Sequence, residues 1–475
     1  MFDSIGRFFV DIADALCGYP LFFLLIGGGL FLFMRSGAVS VVRLPHALKA
    51  LRQKNKGDEN SGEISSAHAL VSVVAATVGL GNIAGVAIAL VMGGPGAIFW
   101  MWISAIVGMA TKYHEGALSI MYKGRDSDGS PKGGMMYIIE KGLGAKWRWM
   151  AGFFAVAGLF GTLCIINANQ LTEGFVSTFT SPQALESSSV LSAISDLTGM
   201  SNASVFKLLF GIGIALIVAI VVLRGIKSIA KVSAVVVPFM VGVYFLMVLY
   251  IIFTHLELLP GAVSSIFSEA FSLRAGFGAF AGIAMIGARR AALVNDAGIG
   301  TASIMHGASN NTQPVREGLV AMLGPAIDSG FVCTLTAIAL LLCGDFTNVE
   351  GVKGLEVAMR AFDSAIPGGG YMLMILAAIF ALSSMFSYSY YGTSCAAYLF
   401  GHKKARWYTY AFILSLIVFA VVPVEAAVGM CDLFYFLMAV PTMITLLALS
   451  GKVREATNSF CSRHKNDKTQ NSQTP

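Results

Sequence analysis

The chain has 475 residues, 56% hydrophobic and only 12% charged, with a net charge of +6. Soluble domains carry roughly 25% charged residues, and half that charge cannot cover a water-exposed surface of this size. The composition excludes a soluble enzyme, and the dispersed lysines and arginines exclude a nucleic-acid binder; both point to a chain embedded in a lipid bilayer.

Residues 1–18 mix Asp3, Arg7, Asp11 and Asp14 with Phe8, Phe9, Val10 and Ile12. That amphipathic pattern suits an interface and is unlike a signal peptide. A bilayer core takes ~20 apolar helical residues. Segments of that kind run over 19–36, 67–92, 95–121, 149–179, 205–223, 233–253, 263–287, 318–342, 369–400, 407–422 and 426–450, which predicts eleven spans. Of the basic residues, Arg7, Lys207, Arg274, Lys353 and Arg360 fall on one side of this layout. Nearly all the others, Arg289 and Arg290 included, fall on the opposite side. The positive-inside rule then places the amino terminus outside and the carboxyl terminus in the cytoplasm. The Ser-rich stretch from Thr180 to Ser204 reads as an external loop, and the polar tail after Lys452 as disordered. Seven cysteines, mostly inside apolar runs, show no disulfide or zinc spacing and read as small core residues.

The second span contains Gly79-Leu80-Gly81-Asn82 and Gly85 in mid-membrane, a stretch of low helix propensity with a polar side chain at the same depth. The seventh contains Gly276-Phe277-Gly278-Ala279-Phe280-Ala281-Gly282. Close packing of intact helices is the plain alternative for both. Two interrupted spans in corresponding positions of two halves point to a transporter site at an inverted repeat. Residues 67–262 and 263–450 form the two five-helix halves, preceded by an added segment over 1–66 and followed by the tail over 451–475. Backbone freed by such breaks is tolerated where it lines a cavity or meets a ligand.

The runs Thr77 to Ala87, Gly93 to Trp102, Gly108 to Lys112, Asn295 to Gly300, Pro314 to Gly324 and Tyr390-Tyr391-Gly392 resemble the signature of the alanine or glycine:cation symporter family. The likeness extends over about residues 65–450. It implies an all-α, leucine-transporter-like 5+5 inverted repeat with one additional amino-terminal helix in the plasma membrane, the inner membrane of a bacterium. It also implies sodium-driven uptake of a small neutral amino acid. The chain departs from the family at Leu80, over Arg290 to Gly298, at Tyr388 where a tryptophan is usual, and around Asn167-Ala168-Asn169. Tyr388 frees volume, which predicts room for a substrate slightly larger than alanine.

The resemblance also implies site residues. Backbone amides of Gly79, Leu80 and Gly81 are expected to meet the substrate carboxylate, with Gly278, Ala279 and Phe280 at the ammonium and side chain. Thr77, Asn167 and Tyr388 complete the pocket. Sodium, the coupling ion, is expected at Asn82 with the Thr77 carbonyl, and at Ser383 and Ser384 with carbonyls of Ala75 and Val78. For Asn82 the alternative is an interhelical hydrogen bond, and for the serines a bond back to their own helix. Asp296 reads as a helix N-cap or as a cytoplasmic gate pairing with Arg289 and Arg290. Glu173, Asp328 and Asp432, near or within apolar spans, are suspected of function by position.

Tyr113-His114-Glu115-Gly116 lacks the second histidine of a zinc-protease motif, and no phosphate-binding glycine loop is present, so neither metalloprotease nor ATPase parts are found. A channel and a proton-coupled transporter are the rival readings; the latter needs a carboxylate facing the pocket. A single bundle suffices for alternating access, and the sequence specifies no oligomer.

Overall fold

A computed structural model describes residues 12, 16–52, 62–125, 129, 131–271, 277–343 and 354–471, the side chains of 182, 277–281, 289, 293, 425 and 463–471 excepted. The amphipathic start of the chain therefore lies almost wholly outside the described residues.

The elements that build the bundle are, in order, α1 (Tyr19–Arg35), α2 (Ser66–Thr77), α3 (Gly81–Gly93) and α4 (Gly96–Met121). A short hairpin of β1 (Gly124–Arg125) and β2 (Pro131–Lys132) follows. Next come α5 (Arg148–Gly161), α6 (Ile165–Phe179), α7 (Asn202–Val222), α8 (Ile226–Thr254) and α9 (Leu259–Ala270). The second half continues with α10 (Phe277–Val294), α11 (Thr301–Gly307), α12 (Pro314–Cys343), α13 (Gly369–Phe400), α14 (His402–Phe419) and α15 (Val424–Asn471). Among the described residues, six helical stretches are long and apolar enough to cross a membrane, and the α2–α3 pair, bent by 57°, makes a seventh. The chain is a multi-pass membrane protein.

The β-hairpin marks one end of the bundle, the basic end. The 180–201 segment marks the other. That segment is not a bare loop: it folds into helices Pro182–Glu186 and Ser189–Thr198, capped by the hydroxyls of Ser181 and Ser188. Nor does the chain fray after Lys452. Helix α15 runs on to Asn471, and Tyr113 Oη lies 2.7 Å from Thr457 Oγ1, with Val453 fully buried. Val453, Ala456 and Phe460 pack against the core and hold the first turns of this extension in place.

Helix α2 starts at the basic end, where the Ser65 hydroxyl caps His68 N. It stops at Thr77 because Val78 turns to extended geometry, and the helix resumes at Gly81 as one π-turn. Asn82 Oδ1 accepts the Gly79 amide at 2.9 Å, which braces the break.

The seventh span departs from the expected layout. It is helical from Phe277, so Gly278, Ala279 and Phe280 lie in the first turn of α10 and carry no break. Helix α10 continues through Arg289 and Arg290, past the limit expected at 287, and ends at Val294. The interruption is Asn295-Asp296-Ala297-Gly298-Ile299-Gly300, with positive φ at Asp296 (51°), Gly298 (86°) and Gly300 (95°). Glycine adopts that geometry freely and aspartate tolerates it better than most residues. Neighbours hold the turn: the Gly298 amide donates to Glu115 Oε1 (2.8 Å), the Ala297 amide to Asn295 Oδ1 (3.0 Å), and Thr442 Oγ1 to the Ile299 carbonyl (3.1 Å). A Cβ at Gly300 would come within 2.6 Å of Thr442 Oγ1 and 2.9 Å of the Phe154 ring.

The two broken spans lie antiparallel to each other. A Cβ at Gly81 or Gly85 would touch Val294 Cγ2 at 3.5 or 3.6 Å, so both interruptions share one depth. Helix α10 crosses the half near the opposite end, tied to α4 by the Ser104 hydroxyl on the Ala288 carbonyl (2.9 Å). Helix α11 continues to the basic end, where Gly307 packs directly on Gly133 of the hairpin.

Candidate functional site

A cavity of about 460 Å³ lies between the two breaks. Ligand sites typically occupy about 300–1,000 Å³. From the first break its wall takes Thr77, Gly79, Leu80 and Gly81; from the second, Val294 and Asp296. Asn167 and Gln170 on α6, Ser384 and Tyr388 on α13, and Asp432 and Tyr435 on α15 complete it, with Ile88 and Met92 carrying it toward the opposite end. Arg290 stands on the same wall, inside helix α10 and not in a loop at the basic end.

Helix ends make this place polar. Helix α3 begins at Gly81 with its amino-terminal amides at the cavity, where the helix dipole favours a carboxylate. The Gly79 amide is committed to Asn82 Oδ1, which leaves the Leu80 and Gly81 amides as the better-placed donors. Across the cavity stands a carboxylate that reading the sequence did not assign there. Asp296 is 2% exposed; its Oδ2 accepts the Tyr388 hydroxyl and lies 3.5 Å from Thr301 Oγ1. It is not the N-cap of the following helix, since Gly300 holds that position without a side-chain bond. It lines the cavity between the two breaks and does not sit at the basic end. Tyr388 Oη also lies 2.6 Å from Tyr435 Oη, so a phenol pair fixes the carboxylate's orientation.

Beside the first break, Ser383 Oγ and Ser384 Oγ each donate to the Ala75 carbonyl at 3.2 Å. Both also bond back to the Phe380 carbonyl, at 2.8 and 3.1 Å. Two hydroxyls and two carbonyls thus converge from α2 and α13. This set of neutral oxygens suits an alkali cation, which needs oxygen ligands more than it needs charge. Val78 is buried next to it. Asn82 is fully buried but faces away from the cavity, with Nδ2 3.5 Å from Cys333 Sγ of α12. Among the described residues no group of three or more His, Cys, Asp or Glu could hold a transition metal. The side chain of Phe280 lies outside the described residues.

Other suspected acids differ in role. Glu173 is paired with Lys207 near the opposite end, a structural tie between α6 and α7. Asp432 lines the cavity. Asp328 is fully buried in a π-turn of α12 (Ala326–Val332).

The basic end is closed by a second network. Glu317, fully buried, accepts from Ser66 Oγ (2.6 Å), Asn311 Nδ2 (2.9 Å) and Ser309 Oγ (3.1 Å), and lies 2.7 Å from His306 Nδ1. Segment 63–64 joins it through backbone bonds to Ala308 and from Asn310 (2.7 Å, from Asn310 N to Ile64 O). Starts and ends of α2, α11 and α12 are thereby locked together.

The profile of the sodium:alanine symporter family matches residues 3–474. The sodium/alanine symporter AgcS of Methanococcus maripaludis is 38% identical over 449 residues, covering 94% of each chain. The amino-acid carrier protein AlsT of Bacillus subtilis is 30% identical over 466 residues, covering 98% of this chain and 94% of its own. A crystal structure of MhsT in complex with L-phenylalanine superposes with a TM-score of 0.49 at 15% identity, over 82% of this chain and 99% of that one. With its matched profile running nearly end to end, the chain belongs to the sodium:alanine symporter family, whose members are transporters and not enzymes.

Proposed function

We propose that this chain is a secondary active symporter that couples sodium entry to uptake of a small neutral amino acid, alanine or glycine, by alternating access. The reading rests on one observation above all: two half-helix breaks meet at one cavity, with helix-start amides on one wall and a buried carboxylate on the other. A zwitterion has the complementary charges. Its carboxylate takes the Leu80 and Gly81 amides, and its ammonium takes Asp296. The hydroxyls of Ser383 and Ser384 with the Ala75 carbonyl supply oxygens for the sodium ion, on the same α2 that carries the substrate amides. Ion and substrate therefore bias one element, which is what coupling requires.

In this reading the chain crosses the membrane eleven times, as a leucine-transporter-like 5+5 repeat with one added helix. The basic end is cytoplasmic, and the cavity extends toward the outside. A closed basic end with a cavity reaching the other way suits the half-cycle that loads from outside. Uptake of labelled alanine into proteoliposomes, with and without an inward sodium gradient, tests this. Accumulation that requires sodium supports it, and uptake indifferent to sodium refutes it.

Asp296 favours a second reading, proton coupling, because a carboxylate faces the cavity. Uptake driven by a pH gradient in sodium-free medium, and abolished in Asp296→Asn, would select that reading.

A further inference from the structure

Next to the cavity, sharing Thr77 with its wall, lies a second polar cluster. Asp328 is fully buried; its Oδ1 accepts the Ser329 amide, while its Oδ2 has no hydrogen-bond partner. Ser329 Oγ, also fully buried, has none either. Asp328 lies beside the Thr77 hydroxyl, and Asn82 reaches Cys333 one turn further along α12. A third orphan faces this group from α4: Lys112 is fully buried, and its Nζ has no hydrogen-bond partner. Its charge acts on Asp328, Glu115 and Asp296.

Buried charges are stable only when paired, and buried polar atoms only when bonded. Three carboxylates here share one ammonium. When the substrate ammonium serves Asp296, Lys112 can still neutralise only one of the remaining two. The donor set left over is an anionic oxygen and two hydroxyl oxygens at the end of the inner half-helix α2. That set is suited to a small cation and offers nothing to an anion or an apolar ligand.

We propose that Asp328, with the hydroxyls of Thr77 and Ser329, forms a monovalent-cation site, and that Lys112 is its internal competitor, neutralising the carboxylate when the ion leaves. The inference rests on the symport reading and extends it. It adds an anionic ligand where reading the sequence expected only neutral oxygens. It also gives the empty state a counter-charge, so that an unloaded Asp328 need not cross the transport cycle bare.

The two partners of the competition should act in opposite directions, which separates this role from a structural one. Binding of radioactive sodium to the purified full-length protein in lipid nanodiscs, without amino acid, is the readout. Asp328→Asn should raise the sodium midpoint by about tenfold or more, the value of one lost charged ligand. Ser329→Ala, a milder change that keeps the helix, should raise it by roughly threefold. Lys112→Met should lower it. Unchanged midpoints in both Asp328→Asn and Ser329→Ala would overturn the proposal, as would a Lys112→Met variant that binds sodium more weakly. If wild type binds sodium and only Ser384→Ala shifts the midpoint, this proposal fails and symport stands. If wild type binds none, both fall.

Discussion

The Tyr388 hydroxyl donates to the Asp296 carboxylate, joining α13 to the break between α10 and α11 at the wall of the cavity. Tyr388 is thus both a cavity-wall residue and the group that orients the acid. Asp296→Asn keeps the volume and removes the charge. It is expected to weaken alanine binding by at least about tenfold, the loss of one charge-assisted bond. Tyr388→Phe, which leaves the charge and removes one of its donors, should cost less. Equilibrium binding of labelled alanine in detergent or nanodiscs checks both, and equal affinities for wild type and Asp296→Asn would remove Asp296 from the site.

Ser384 bonds both to the Ala75 carbonyl and back to Phe380, so the geometry alone leaves two roles for it. If it holds sodium, Ser384→Ala shifts the sodium dependence of uptake to higher concentration and lowers apparent alanine affinity with it. High sodium then restores much of that affinity. A sodium midpoint equal to wild type, at matched membrane expression, leaves only the back-bonding role.

Glu317 gathers hydrogen bonds from three segments at the basic end. Glu317→Ala leaves His306, Ser66, Ser309 and Asn311 without their shared acceptor in a buried place. The expected loss is about 3 kcal/mol, seen as a clear drop in melting temperature and as greater reactivity of a cysteine placed at Ser303. A melting temperature equal to wild type would mean that the backbone bonds of 63–64 close this end alone.

At Gly300 the backbone is left-handed and the side chain of Thr442 stands in the way. Gly300→Ala should therefore cost about 1–2 kcal/mol from conformation alone, with the close approach to Thr442 and Phe154 adding to it. Gly282 is a useful control: among the described residues nothing outside its own helix backbone lies within 4 Å of an added Cβ, so Gly282→Ala should be neutral. Thermal unfolding of both variants tests the placement of the break directly, because a break at 276–282 predicts the reverse order.

That contrast shows where the sequence was readable. The first break is announced by two glycines and an asparagine inside an otherwise apolar span, a conflict with helix propensity visible in the letters. The second uses one aspartate and two glycines at alternate positions, 296, 298 and 300, which looks from sequence like the ordinary end of a helix. The glycine-rich 276–282 run has the same composition as a break, yet it is helical from Phe277. Composition signals that a helix can break; neighbours such as Glu115 and Thr442 decide that it does. The cavity-wall positions of Thr77, Leu80, Gly81, Asn167 and Tyr388 were legible from the family resemblance, as was the nearness of Ser383 and Ser384 to Ala75. Asp296 was not, because its role depends on a tertiary contact with Tyr388, 92 residues away. The helical extension beyond Lys452 was hidden for the same reason, since its packing, including Thr457 on Tyr113, is tertiary.

The central claim is that sodium entry drives uptake of a small neutral amino acid through this cavity. Its most direct test is labelled alanine accumulation in proteoliposomes under an inward sodium gradient, with potassium substituted as control and unlabelled glycine, leucine and phenylalanine as competitors. The account predicts accumulation with sodium only, abolished by Asp296→Asn and competed by glycine but poorly by leucine or phenylalanine. Equal uptake in potassium, or leucine competing as well as alanine, would contradict it.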